Sequence, residues 1–266
     1  MTTMTISDGV IANPNVRRIL AVEADLPAWL GRCNPKNNIN SLIDISGAGA
    51  TFSLSPNSGT ISYFTPDGIF TSKNRGFTSD ILATDNVSIY SVHKQQDLTY
   101  SKMNAIPFND GSQATTGTGF GTCLTEISPR NSDIVMYANG FVYYDAADGT
   151  KRATLNNTEE AANVTPGDWV FRLESLDALN YQMIIYTGYK GILYKTLTQS
   201  AWDLSLRNKT QPIRFGYAPN SPAVPDATSS LITAEVGVLA GAVTDAMAAK
   251  LYTEARALQA LSGISV

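Results

Sequence analysis

A chain of 266 residues, 43% hydrophobic and only 16% charged, is long enough to bury a large β core without help from disulfides or metals. Its net charge of −4, with no basic run longer than Arg17-Arg18, argues against nucleic-acid binding, which needs cations gathered on one face. No apolar stretch approaches the roughly 20 residues of a membrane-spanning helix, so no membrane insertion is expected.

The low charge content is made up by Thr, Ser, Asn and Gly, residues that suit strands with polar outward positions and frequent turns. Cys33 and Cys123 are the only cysteines. Two buried thiols fit them better than a disulfide framework, which would show more cysteines at closer spacing.

Residues 1–25 stand apart from the rest. Ile6, Val10, Ile11, Ile19, Leu20 and Val22 follow neither a helical nor a strand period, and Asn13-Pro14-Asn15 breaks the segment. The segment reads as an arm that docks on a neighbouring subunit or protein, or as an edge strand. Met1 to Ile6 has neither a basic region nor an apolar core of a secretory signal, so folding in a cytoplasm is expected. Residues 26–266 read as one β-sandwich domain.

From residue 59 onward, short β-rich runs alternate with turn residues, among them 60–64, 87–92, 134–137 and 141–144. Others follow at 169–173, 181–187, 192–196, 213–217 and 231–239. Many short strands divided by turn signals predict a sandwich. Along Asp168 to Glu174 the alternation places Trp169, Phe171 and Leu173 on a core face and Asp168, Val170, Arg172 and Glu174 on a wet one.

Asn139-Gly140 between apolar runs predicts a hairpin, because both turn positions need positive φ. Asp148-Gly149 and the stretch Gly188 to Gly191 predict two more, so the sheet is antiparallel. Near the end, Thr244 is a helix cap with Asp245 behind it. Met247, Leu251, Ala255, Leu258 and Leu261 form an apolar stripe, and Gly263 is a stop.

Two stretches carry a family resemblance. The first is Leu42-Ile43-Asp44-Ile45-Ser46-Gly47-Ala48-Gly49-Ala50 with Asp85-Asn86-Val87-Ser88-Ile89-Tyr90-Ser91-Val92. The second is Thr233-Ala234-Glu235-Val236-Gly237-Val238-Leu239 with Val243-Thr244-Asp245-Ala246 and Lys250-Leu251-Tyr252. Together they resemble the concanavalin A-like (laminin-G-like) jelly rolls, which implies an all-β antiparallel sandwich with one short C-terminal helix. Three positions depart from the family's pattern, the first being Ala242-Val243 where Ala-Leu is usual. Val87 stands where an aromatic is usual, and Met247 where Glu is usual, so an incomplete capping box is expected.

The chemistry is sparse. The E-x-D-x-x-E strand of sandwich glucanases, which sets two carboxylates on one face, is absent. Glu159-Glu160 are adjacent, and Asp168 with Glu174 lie six apart. His93 reads as a surface histidine at a strand end. Neither a G-x-S-x-G elbow nor a phosphate loop occurs, and Gly117-Thr118-Gly119-Phe120-Gly121 reads as a loop. No catalytic residue and no enzyme activity is expected.

Asp145 and Asp148 in Asp145-Ala146-Ala147-Asp148-Gly149 offer two carboxylates for Ca²⁺, as in related lectins, though Ca²⁺ needs six to eight oxygens and a plain hairpin turn competes. No other cofactor is expected. A sugar site needs an exposed aromatic beside Asn or Asp on loops. Tyr63, Tyr189 and Trp202 are the candidates, with Phe64, Asn37, Asn38 and Asn40 of similar kind, and each competes with a core or turn role.

With the resemblance, these features lead to a non-enzymatic phage virion protein: a tail fibre, a receptor-binding protein or a capsid decoration. It would be made in the bacterial cytoplasm and carried on the virion. Its partners would be other virion proteins, further copies of itself (a trimer) and a host cell-surface glycan. The alternatives are a polysaccharide depolymerase on the same scaffold and an architectural protein with no ligand.

Overall fold

The computed structural model describes residues 25–55, 64–72, 76–95, 108–110, 163–165, 167–199, 203–206, 209–216 and 230–266, with the backbone of four further strands between 126 and 154. The strands are β1 (Trp29–Cys33), β2 (Phe52–Leu54), β3 (Ile69–Ser72), β4 (Phe77–Leu82), β5 (Val87–Gln95) and β6 (Phe108–Asn109). They continue as β7 (Glu126–Pro129), β8 (Val135–Ala138), β9 (Val142–Asp145), β10 (Lys151–Thr154) and β11 (Asn163–Val164). The last are β12 (Trp169–Asp177), β13 (Gln182–Tyr189), β14 (Ile192–Gln199), β15 (Pro212–Phe215) and β16 (Ser230–Leu239), followed by the helix α1 (Asp245–Ala260). Of the expected arm, only Asp25 lies within the described residues.

A main sheet runs β1-β16-β5-β12-β13-β14, with β3 also on β16, and a second sheet runs β2-β4-β15-β6. Every pairing in both is antiparallel. The chain is an all-β antiparallel sandwich closed by a C-terminal helix. Between the sheets, Val87, Ile89, Leu176, Met183, Ile185, Val236 and Val238 meet Phe52, Phe77, Ile81, Phe108, Ile213 and Phe215. Phe77 and Phe215 stack with ring centroids 5.0 Å apart. Burying each such side chain contributes about 1.5–3 kcal/mol.

The other face of the main sheet is equally buried. Tyr90, Phe171, Leu173, Tyr186 and Leu239 pack under Ala248, Leu251, Tyr252 and Ala255 of α1. The expected wet face of β12 is therefore corrected. Val170, Arg172 and Glu174 are fully inaccessible, as are Phe171 and Leu173, because the strand is central in the sheet and covered on both sides. Trp169 lies at its half-buried end.

The helix cap differs from expectation. Thr244 Oγ1 accepts from the Met247 amide at 3.3 Å, and the Thr244 amide donates to Met247 Sδ at 3.4 Å. Sulfur takes the role of the missing carboxylate, so the reciprocal cap is complete. The buried side chains are Ala248, Leu251, Tyr252, Glu254, Ala255 and Gln259. Leu261, assigned to the stripe from its spacing, lies past the last turn and is 85% exposed. Gly263 follows at φ 73°.

Strand pairing is described for two of the three expected hairpins. β13 and β14 pair from Tyr189–Ile192 onward, and the intervening Lys190 and Gly191 have φ of 48° and 85°, the signature of a primed turn that matches strand twist. β9 pairs with β10 beginning at Asp145 and Lys151, although the turn itself lies outside the described residues. β8 is flanked by β7 and β11. The turn expected at Asn139-Gly140 lies outside the described residues.

Buried polar groups tie the helix to the sheet. Glu235 Oε1 accepts from Arg32 Nε at 2.9 Å, Arg32 Nη2 at 2.7 Å and the Tyr90 hydroxyl at 2.8 Å. Its Oε2 accepts from Gln259 Nε2 at 2.7 Å, and Gln259 Oε1 accepts from Lys36 Nζ at 3.0 Å. Glu235 has no exposed surface, and its carboxylate meets the requirement that a buried charge be paired and hydrogen-bonded. Gly188 lies where α1 crosses the sheet. A Cβ there would sit 2.4 Å from the Tyr252 ring.

Candidate functional site

Three regions hold polar groups in unusual settings. The first is a belt across the inner face of the main sheet. Ser91 lies opposite Arg172 and His93 opposite Val170 and Thr233, while Arg172 faces Thr187 on its other side. Arg172 Nη1 donates to Thr187 Oγ1 at 2.7 Å. Arg172 Nε lies 3.7 Å from Glu174 Oε1.

His93 is fully buried, with Nδ1 2.8 Å from Ser91 Oγ, which corrects the surface reading. β5 continues past it and is covered on both sides. Burial, reinforced by Arg172, pushes its pKa down to about 3. Burial pushes Glu174 up to about 7, with Arg172 opposing and Asp110 adding to the rise. A group sealed between two sheets does not reach a solution substrate, so the belt is interior structure.

The second region is the Ser-Gly loop. Asp44 Oδ1 accepts from the amides of Arg32 and Ser46 and from Ser46 Oγ, and Oδ2 from the amides of Gly49 and Ala50. Burial works against ionisation here. The hydrogen bonds outweigh it and hold Asp44 below the usual carboxylate range. Asp44 thus closes the loop by binding backbone amides, and its lone pairs are committed to the loop.

The third region is a cleft of about 600 Å³ at one end of the main sheet, lined by Thr84, Asp85, Asn86, Leu179, Tyr181 and Asp203 among others. It forms where the β4–β5 connection, the β12–β13 turn, the segment after β14 and the exit of β16 come together. Each wall has a local cause. Asp177 closes the β12–β13 turn by accepting from the Asn180 amide at 3.2 Å and Asn180 Nδ2 at 2.7 Å. Gln199 Nε2 donates to the carbonyls of Asn180 and Tyr181 at 2.8 and 3.1 Å.

Held this way, Tyr181 takes a left-handed φ of 52°, uncommon for a bulky side chain, and its side chain is 42% exposed. Leu179 beside it is 84% exposed. Opposite, Asn86 Oδ1 accepts from the Ala178 amide at 2.8 Å, Asp203 Oδ1 accepts from Ser205 N and Oγ, and Lys209 Nζ reaches Asp85 Oδ1 at 2.7 Å. An aromatic ring, an exposed leucine, an amide and two carboxylates thus line one concavity. Apolar surface with a few convergent polar groups is the usual make-up of a small-ligand site.

The sequence candidates are placed unevenly. Tyr189 is buried, its hydroxyl donating to Asp168 Oδ2 at 2.7 Å, and Lys190 Nζ lies 4.9 Å from its ring centroid. It belongs to the end of the sheet where the β13–β14 turn lies, opposite the cleft. Phe64 packs against the core between the sheets. Tyr63, Trp202 and Asp148 lie outside the described residues. Trp202 is the neighbour in sequence of Asp203, which lines the cleft. Asp145 is the last residue of β9 and pairs with Lys151.

Asn38 and Asn40 form a cap of their own, Asn38 Oδ1 accepting from the Asn40 amide, and Asn37 lies beside them at φ 65°. Tyr181 was missed because its apolar neighbours read as the start of a strand. The signal available was Asp177 three residues ahead of Asn180, an Asx-type turn closure.

No protein-family model matches the chain, and no curated protein matches it. Among solved structures it is similar to the receptor-binding domain of botulinum neurotoxin D (14% identity, TM-score 0.52, 86% of this chain and 53% of that one). It is also similar to the receptor-binding domain of the C/D mosaic serotype (15% identity, TM-score 0.54, 85% and 51%). A third is the binding domain of serotype G (14% identity, TM-score 0.54, 86% and 51%). The chain spans about half the length of these structures, and the likeness at such identity is one of fold.

Proposed function

We propose that this chain is a non-enzymatic binding module that takes up carbohydrate in the cleft between Asn86 and Tyr181. The observation that carries the reading is the convergence of an exposed aromatic with Asn and Asp side chains on adjoining loops. A pyranose presents C–H groups on its faces and hydroxyls at its rim, so it matches a ring flanked by donors and acceptors. The fold likeness to toxin receptor-binding domains supports it. The binding domain of serotype D has been solved in complex with N-acetylneuraminic acid.

The finer reading is a concanavalin A-like attachment or decorating protein of a phage virion, oligomeric and held on the particle by residues 1–25. The sequence motifs around Asp44, Asp85 and Glu235 support it. Several copies would raise weak cleft affinity by avidity, about 10²–10⁴-fold. Trp202 and Tyr63 extend the proposed aromatic set, and Asp145 with Asp148 form a proposed Ca²⁺ site.

The test is a glycan panel titrated with the full chain while reducing ends are assayed in parallel. Binding without release of reducing ends is expected. Release would replace the reading with a depolymerase, and no binding across the panel would leave an architectural role. Adsorption to host cells, with and without residues 1–25, tests the virion reading; Ca²⁺ chelation during thermal melting tests Asp145 and Asp148.

A further inference from the structure

We propose that the cleft selects sugars bearing an acetamido group, an inference that rests on the carbohydrate reading above. Ala178 joins the two sides of the cleft. Its amide donates to Asn86 Oδ1 at 2.8 Å, and its carbonyl accepts from the Tyr181 amide at 3.3 Å. Asn86, Leu179 and Tyr181 are therefore all fixed around one backbone unit.

Binding through Oδ1 sets the plane of the Asn86 amide and leaves Nδ2 as a donor without a partner among the described residues. Leu179 is the most exposed apolar side chain of the cleft, at 84%, and Tyr181 lines the same cleft. Asp85 and Asp203 bring carboxylate acceptors to the same cavity.

An acetamido group has three recognition elements: a carbonyl acceptor, an N–H donor and a methyl. The cleft supplies a complement to each. Asn86 Nδ2 donates to the carbonyl, a carboxylate accepts the N–H, and the methyl covers Leu179 and the edge of Tyr181. A plain hexose has only a hydroxyl at that position. It leaves Leu179 against water and the amide donor poorly matched, and an unmet polar partner is the more discriminating of the two losses. A free amine lacks both carbonyl and methyl.

The experiment compares three trimers sharing one β-1,4 linkage: N-acetylglucosamine, glucose and glucosamine. Each is titrated into the full chain by calorimetry or NMR. The acetylated trimer is expected to bind at least about tenfold more tightly than either of the others. Asn86→Asp keeps the acceptor for the Ala178 amide and exchanges the donor for an oxygen. It is expected to erase the preference while the melting temperature stays unchanged.

Equal affinity for the glucose trimer, or an unaltered preference in Asn86→Asp, overturns the acetamido assignment and leaves carbohydrate binding standing. Failure of every sugar, in the wider panel as well, overturns both.

Discussion

Glu174 Oε1 lies 3.7 Å from Arg172 Nε, two residues away on the same strand, in the sealed space between the sheets. Neither oxygen of Glu174 has a hydrogen-bond partner among the described residues. A buried carboxyl in this position prefers to keep its proton, and its pKa is pushed up to about 7.

Stability against pH follows from Glu174 and His93 together. Unfolding lets Glu174 lose its proton near its ordinary value of 4.5, whereas the folded chain holds it to about 7; this contribution is full below 4.5 and lost as pH rises to 7. Unfolded His93 takes a proton below 6.5, and the folded residue stays neutral to about 3; this contribution is full above 6.5 and lost as pH falls. Between 4.5 and 6.5 the two proton counts cancel, so stability is flat there and falls on either side. Urea unfolding across pH 4–8 checks this. Glu174→Gln should remove the decline above 6.5 and, with nothing left to offset His93, make the acid decline begin near 6.5 instead of 4.5.

The Glu235 cluster should be among the most sensitive sites. Glu235→Ala takes away the carboxylate that Arg32 and the Tyr90 hydroxyl bind and is expected to cost about 3–5 kcal/mol. Gln259→Ala removes its bonds to Glu235, Asn34 and Lys36, an expected cost of about 1–3 kcal/mol. Chemical denaturation measures both.

Gly188→Ala is expected to push α1 off the sheet and cost about 1–3 kcal/mol through overpacking, since its new methyl would lie 2.4 Å from the Tyr252 ring. Shrinking the ring in Gly188→Ala/Tyr252→Leu should cost less than the two single changes added together, because the residues share one contact.

The primed turn offers a separate check. Gly191 has open space for a methyl, the nearest atom being Arg256 Nη1 at 3.6 Å, so the cost of Gly191→Ala comes from its φ of 85° alone. A loss of about 1 kcal/mol is expected, and Lys190→Asn, which tolerates the left-handed region better, should recover part of it.

Much of the fold was legible in the sequence because it is encoded locally. The strand runs, Gly191, Thr244 and Gly263 each signal themselves within a few residues, and the Asp44 loop and Glu235 strand carried the family resemblance. Burial was not legible. Arg172, Glu174 and His93 look like surface residues until the second sheet is placed over them, and covering is a tertiary fact with no periodicity. Likewise Leu261 fits the helical spacing but lies beyond the turn that docks. Tyr181 needed knowledge of which loops converge, and sequence spacing does not contain it.

The most direct test of the central claim is backbone chemical-shift mapping with a bound oligosaccharide. Shifts are predicted to concentrate on Thr84–Asn86, Ala178–Tyr181 and Asp203–Ser205, and to vanish in Tyr181→Ala while the rest of the spectrum is preserved. Perturbations centred on the Lys190-Gly191 end of the sheet, or unchanged binding by Tyr181→Ala, would contradict the account.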